Sequence, residues 1–229
     1  MVRVNRSFAF LDLSGFTALT ELEGDERATA LLSAFRSMVR DICSRRGVRI
    51  AKWLGDGAML VGVDTTPLVA TCLELQLAVK SATQPIHIRC GMAGGDVILL
   101  EGDDYIGHCV NVAARLCDLA AGGEVLAGPG IVEHVPPWGE VRSEDDIAIR
   151  GLEHPMHVAR LGLRRLPGRT ELDPICKIPL TAQVADSVAQ DPLGLPVLFC
   201  SESCRDTWEH RPRPTSDGQG SLRMPLIGS

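Results

Sequence analysis

The sequence predicts an α+β protein, a single sheet with helices on one face, from three observations. Apolar or alternating segments with strand character recur at Phe8–Leu11, Val48–Trp53, Ala58–Val63 and Ile86–Met92. Two stretches, Glu26–Arg45 and one opening at Pro67, carry apolar residues at helical spacing. Their order, β-α-β-β-α-β with additions, is that of one sheet backed by helices.

Each element has its own signal. Phe8, Phe10 and Leu11 favour a first strand, with Asp12 at its end. Ser14-Gly15 breaks that strand and opens a helical segment, so backbone N–H groups collect beside Asp12. In Glu26–Arg45, Leu31, Phe35, Met38 and Ile42 form one apolar face, and Gly47 ends the helix. The next two strands join through a tight turn at Leu54-Gly55-Asp56-Gly57, because Asp-Gly is a hairpin signal. Thr66 caps a second helix, which starts at Pro67 with Leu68, Cys72, Leu75 and Val79 on one side. Ile86–Met92 alternates as a strand, and Val97–Leu100 is expected to follow across a Gly-Gly turn. A third helix runs from about His108 to Ala121 and ends at Gly122-Gly123, before a short strand at Glu124–Ala127. Trp138–Leu163 reads as two or three strands, separated by turn material around Ser143–Asp146 and Gly151–Pro155.

From Arg164 to Thr170 the composition turns to Arg, Pro and Gly. The expected organisation is therefore a first domain over residues 1–165 and a linker over 166–171. A small cysteine-bearing unit follows over 172–214, and a polar, Gly-rich tail over 215–229 has too little to bury to be ordered.

Composition narrows the function classes. A net charge of −6, with no basic tract interleaved with aromatics, argues against a nucleic-acid surface. No run approaches the ~18–20 apolar residues of a membrane span, and no secretory h-region opens the chain, so no membrane partner and a cytoplasmic location are expected. Cys43, Cys72, Cys90, Cys109 and Cys117 are scattered through the first domain, mostly on apolar faces, as buried thiols in a reducing compartment would be. Cys176, Cys200 and Cys204 cluster near the C-terminus and need a separate explanation.

The chemistry starts from two carboxylates. Asp12 ends a strand beside free backbone donors, and Asp56 sits in a hairpin between two glycines that admit a ligand close to the backbone. If their strands are neighbours, both can face one pocket and hold a pair of Mg²⁺ ions, which suits in-line phosphoryl chemistry. Further on, Asn111 and Arg115 lie at i and i+4 on one helix face, with Asp104 just before that helix. Taken singly, each of these is an ordinary capping, turn or surface residue.

Together they resemble a family. Phe-Leu-Asp12-Leu-Ser-Gly-Phe-Thr, Lys52-Trp-Leu-Gly-Asp56-Gly and Asp104…Asn111-Val-Ala-Ala-Arg115, in this order and spacing, resemble the class III nucleotidyl cyclase catalytic domain over roughly residues 5–163. The resemblance implies a ferredoxin-like βαββαβ domain carrying a two-metal site for Mg²⁺ or Mn²⁺. Asp12 and Asp56 would bind both ions, with the Leu13 carbonyl as a further ligand. Gly15, Phe16 and Thr17 would offer backbone donors to the triphosphate. Lys52 and Asp104 match the pair that reads adenine, the ammonium donating to N1 and the carboxylate accepting from the exocyclic amine. Asn111 would orient the ribose, and Arg115 would stabilise charge developing on the α-phosphate. Arg150 is the candidate for a late basic residue on the terminal phosphate. His108-Cys109 departs from the Asp-Ala common before Val-Asn in this family. The family builds its site between two chains, so a sequence carrying both residue sets implies a homodimer with two shared sites.

The C-terminal unit has a resemblance of its own. Asp173-Pro-Ile-Cys176, Leu198-Phe-Cys200-Ser-Glu-Ser-Cys204, Trp208 and Arg211-Pro212 resemble the YHS (TRASH-like) metal-binding module, although Val197 and Leu198 replace the usual aromatics. Cys200 and Cys204 can converge from a helix start, and Cys176 could complete three thiolates, with Asp173 and His210 as candidates for a fourth ligand. Such a set suits Zn²⁺ or Cu⁺. The alternative is a small fold using its thiols as apolar filler.

The expected function is an adenylyl cyclase converting ATP to cyclic AMP and pyrophosphate, with metal at the cysteine module as a candidate modulator. The alternatives are a guanylyl cyclase, since Lys and Asp do not exclude guanine by polarity alone, and a non-catalytic protein that senses nucleotide or metal.

Overall fold

A computed structural model of the chain describes residues 2–82, 86–100, 104–168 and 170–211. The tail expected over 215–229, and residues 212–214 of the cysteine unit, lie outside the described residues.

Strand β1 (Val2–Ser14) is flanked on both sides by antiparallel partners, β3 (Gly57–Gly62) and β4 (His87–Leu99). The remaining strands are β2 (Arg49–Leu54), β5 (Tyr105–Ile106), β6 (Val125–Ala127), β7 (Gly139–Ile147) and β8 (Met156–Leu163). They extend one sheet in the order β2-β3-β1-β4-β6-β8-β7, with β5 paired to β4. Only β4 and β6 run parallel among the described pairs; the other neighbours are antiparallel.

Among the described residues four α-helices accompany this sheet: α1 (Phe16–Glu23), α2 (Asp25–Arg46), α3 (Thr65–Ser81) and α4 (His108–Leu119). Helix α2 buries Ala28, Leu31, Phe35, Val39 and Ile42, a three-to-four-residue recurrence that makes one face. Asp25 and Glu26 in its first turn and Arg45 and Arg46 in its last complement the helix dipole, and Gly47 closes it in the left-handed conformation. Helix α3 begins before Pro67, with Asp64 in extended backbone at its N-cap; Pro67 sits within the first turn, where its missing N–H costs nothing.

Helices cover both faces of the sheet, where one face was expected. Ala9, Leu11 and Leu13 of β1 and Cys90 and Met92 of β4 pack in one core with α2 and α3. Phe8 and Ala93, pointing the other way, pack in a second core with Cys109, Val112, Ala113 and Leu116 of α4. The cause lies in β4. Gly91 faces α4, and a Cβ there would come 2.1 Å from the Cys117 nitrogen and 2.4 Å from the Ala113 oxygen, so the helix backbone rests directly on the strand.

Two other expectations differ. The segment from His87 to Leu99 is one unbroken strand rather than two strands across Gly94-Gly95, because it pairs with β1 along its whole length, from Val2↔Leu99 to Ser14↔His87. Ser143–Asp146 lies inside β7, held by pairing to β8 with a register shift between Val141 and Ser143, whereas Gly151–Pro155 is in the connecting segment as expected.

After β8 the chain forms two small hairpins, β9 (Glu171–Leu172) with β10 (Pro179–Leu180) and β11 (Ser187–Gln190) with β12 (Pro196–Phe199), followed by α5 (Glu202–Glu209). Ile178, Leu180, Val184, Leu198 and Phe199 of this part continue the core that includes α2 and α3. The fully buried Trp138 donates its indole N–H to the Cys200 carbonyl at 3.1 Å, joining the sheet to the cysteine unit.

Candidate active site

Asp12 and Asp56 converge because β1 and the β2–β3 hairpin are neighbours. The hairpin closes with Leu54 opposite Gly57, which puts Asp56 at its tip. Gly57 is needed there: a Cβ would lie 2.3 Å from the Leu11 carbonyl oxygen and 3.4 Å from Asp12 Oδ1. Burial, with the Asp12 charge beside it, pushes the Asp56 carboxyl above its ordinary range. Two carboxylates that repel each other in a half-buried position have the chemistry of a divalent-cation site, so this donor set fits Mg²⁺ or Mn²⁺. Leu13, the expected carbonyl donor, is buried next to Asp12 in β1. Gly15 forms the N-cap of α1 with φ 87° and no side-chain cap, leaving the Phe16 and Thr17 end of the helix without a side-chain partner for its backbone donors.

A second group forms where β2 meets the start of β5. Lys52 Nζ is 2.8 Å from Asp104 Oδ1, and the Tyr105 backbone N–H donates to the same oxygen at 3.0 Å. The hydrogen bond from Lys52 and that from Tyr105 hold the Asp104 carboxyl below its usual range. Both side chains are about half exposed, 48% and 47%, so a ligand can reach the pair. Phe8 stacks edge-on against Tyr105 at 5.3 Å and fixes the base of this corner.

A third group lies on α4. Asn111 is exposed and Arg115 is half-buried one turn later. The Arg115 guanidinium lies against the backbone of Gly151, next to the exposed Arg150.

One residue of this region was missed from sequence. Arg89 of β4 is the register partner of Asp12 and donates Nε to Asp12 Oδ2 at 2.7 Å and Nη1 to the Asp118 carbonyl at 3.2 Å. Its signal was a charged residue set between the apolar Ile88 and Cys90.

The cysteine unit also has a defined centre. Cys176 and Cys200 Sγ are 3.4 Å apart, Cys200 and Cys204 Sγ 3.6 Å apart, and with an Asp173 oxygen all four atoms lie within 4.8 Å of one another. All four residues are buried. Hydrogen bonds from Cys176 and Cys200, with Arg46 nearby, hold the Cys204 thiol well below its usual range against the opposing effect of burial. The neighbouring thiols and burial push Cys176 and Cys200 up, so the negative charge gathers on Cys204; three sulfurs this close beside a buried carboxylate are a donor set that fits a thiophilic metal ion. Asp173 accepts from the backbone N–H groups of Ile175, Cys176 and Cys200 at 2.8, 3.2 and 2.8 Å, so it clamps the two cysteine-bearing segments together. His210 is exposed at the C-cap of α5, its ring against the Asp206 carbonyl and outside the cluster.

Among the described residues no helix is long and apolar enough to cross a membrane. No family model matches the chain. An uncharacterized protein of Mycobacterium tuberculosis is 33% identical over 153 residues, covering 67% of this chain and 40% of that protein. A pH-sensitive adenylate cyclase of the same species is 35% identical over 125 residues, covering 55% of this chain and 31% of that protein. The chain thus spans well under half the length of these curated relatives. Among solved structures, the adenylyl cyclase CyaB from P. aeruginosa superposes with a TM-score of 0.60 at 24% identity, over 73% of this chain and 98% of that one. The guanylyl cyclase Cya2 gives 0.64 at 22% identity, over 73% and 96%. The sheet, its paired helices and these superpositions lead to one conclusion: the chain carries the fold of the class III adenylyl/guanylyl cyclase catalytic domain.

Proposed function

We propose that the protein is a nucleotidyl cyclase that closes ATP to cyclic AMP with release of pyrophosphate. The observation that carries this reading is the convergence of Asp12 and Asp56 beside the uncapped start of α1. Two Mg²⁺ or Mn²⁺ ions held by these carboxylates and the Leu13 carbonyl would supply activation of the 3′-oxygen and neutralisation of phosphate charge. The backbone donors of Gly15, Phe16 and Thr17 receive the triphosphate. Arg115 stabilises charge growing on the α-phosphate, Asn111 orients the ribose, and Arg150 reaches the terminal phosphate.

ATP is favoured by the Lys52–Asp104 pair, a donor and an acceptor side by side and open to solvent. Adenine presents the complementary acceptor at N1 and donor at its amine. The Asp12–Asp56 group and the Lys52, Asp104, Asn111 and Arg115 group belong, in this reading, to opposite halves of a site formed by two copies of the chain. The cysteine unit is a YHS-like module holding a thiophilic ion through Cys176, Cys200 and Cys204.

The test is purified protein with Mn²⁺ and either ATP or GTP, followed for cyclic product. Cyclic AMP from ATP is expected. Cyclic GMP alone would reassign the substrate, and no cyclic product from either would favour a nucleotide-binding role.

A further inference from the structure

The cysteine cluster does not stand apart from the sheet domain. Helix α2 ends in Arg45 and Arg46, and both guanidiniums turn toward the sulfurs. Arg46 Nη2 lies 3.1 Å from Cys200 Sγ, and Arg45 Nη1 lies 3.5 Å from Cys204 Sγ. Both are braced by Glu74 of α3, Arg46 Nε at 2.6 Å and Arg45 Nη2 at 2.5 Å. Arg46 and Glu74 side chains are only 2% and 3% exposed.

Arg45, Arg46 and Glu74 alone carry one positive charge in excess, which faces the sulfurs and the buried Asp173 carboxylate grouped with them. Such a charge is stable only with a partner. The sulfurs of Cys200 and Cys204 are the part of that partner which the guanidiniums touch. A cavity of about 290 Å³, lined in part by Pro136, Trp138, Arg46 and Ser201, borders the cluster at Cys200.

We propose that the cluster is a thiophilic-metal site whose outer sphere is built by the sheet domain, through Arg46 and Arg45 braced by Glu74. Metal occupancy and the seating of α2 and α3 against the cysteine unit are then one linked equilibrium. This rests on reading the three cysteines as metal ligands. Hydrogen-bond donors around a metal's sulfurs orient them and spread their charge, and their loss costs affinity. The link extends further along α2. Arg36 donates to the Gly55 carbonyl at 2.8 Å, and Arg36 and Arg40 lie 5.1 and 5.2 Å from the Trp53 ring. The helix that grips the sulfurs at one end therefore also grips the hairpin bearing Lys52 and Asp56.

The experiment uses the full chain, stripped of metal under reducing conditions, with Zn²⁺ as the probe and a chromophoric chelator as competitor. Wild type should bind one Zn²⁺ per chain and melt at a higher temperature when loaded. Arg46→Met should weaken binding by about 10–100-fold and shrink the thermal shift, and Arg46→Lys should recover part of both. Arg45→Met, at the more exposed end of the network, should weaken binding to a lesser degree and carries the test if Arg46→Met does not fold. Failure of the wild type to bind Zn²⁺ would overturn the metal-site reading itself. Wild-type binding with equal affinity in the folded arginine variants would leave the metal site standing and overturn the linkage.

Discussion

Arg89 and Asp12 face each other as register partners across β4 and β1, and two guanidinium nitrogens of Arg89 lie 2.7 and 2.6 Å from the single oxygen Asp12 Oδ2. Oδ1 is left on the side of the hairpin that carries Asp56. The guanidinium is itself tied to the Asp118 carbonyl at the end of α4, so the carboxylate's orientation is set from three elements at once.

Arg89 should therefore act as a positioning residue for the proposed cation site. Arg89→Ala is expected to lower kcat by about 10–100-fold, the range for partners that orient a metal ligand, with a smaller effect on the KM for nucleotide. Arg89→Lys should restore part of kcat, and the Mn²⁺ concentration for half-maximal activity should move in Arg89→Ala. A purely structural role would lower stability and leave that Mn²⁺ concentration in place.

Substrate choice should reside in Lys52 and Asp104. Lys52→Glu with Asp104→Cys is expected to lower ATP turnover and raise the relative use of GTP, since a mismatched polar contact costs on the order of 1–3 kcal/mol. Because both side chains are half exposed, the melting temperature should change little. An unchanged ATP preference would remove the pair from base reading. The pH dependence follows from Asp104. Its folded pKa is depressed, so the ion pair is complete above the ordinary carboxylate range and is lost only as pH falls through the lowered value. The ATP:GTP ratio should accordingly be flat between about pH 6 and 8.

The cysteine cluster gives a stability prediction as well as a metal one. Cys200→Ser with Cys204→Ser should abolish Zn²⁺ binding measured by elemental analysis. It should also lower the stability of the whole chain, on the order of 1–3 kcal/mol, because neutral, smaller hydroxyls replace the sulfurs that offset the Arg45 and Arg46 charges inside a shared core. Loss of metal with no change in the unfolding transition would mean that the unit is energetically separate from the sheet.

What was legible in the sequence was local. The helix of α2, the Leu54–Gly57 turn and the i, i+4 placement of Asn111 and Arg115 follow from spacing and turn chemistry within a few residues. What was not legible depends on distant partners. Gly94-Gly95 reads as a turn until β1 is laid beside it, and Arg89 is an isolated charge until Asp12 is found opposite. Glu74 stands within the apolar run Leu73–Leu75, and only the packing of α2 on α3 shows that two arginines compensate its burial. Likewise, α4 could be placed on its own face of the sheet only once Gly91 was known to lie under it.

The last prediction tests the proposed sharing of the site between two chains. Asp12→Ala should abolish cation binding contributed by its own chain, and Arg115→Ala should remove charge stabilisation contributed to the partner's half. Each homodimer should be nearly inactive. In a mixed dimer one site carries both lesions, while the other combines an intact Asp12 from one chain with an intact Arg115 from its partner. Equal mixing with free exchange makes about half of the dimers mixed, each with one working site, so about a quarter of normal activity should return at constant total chain concentration. Exchange can be followed independently by pairing differently tagged chains. If exchange is demonstrated and activity stays at the level of either variant alone, the two groups of residues do not meet across a dimer. The chemistry would then have to be completed within one chain, with Asp12, Asp56 and Arg115 all supplied by the same copy.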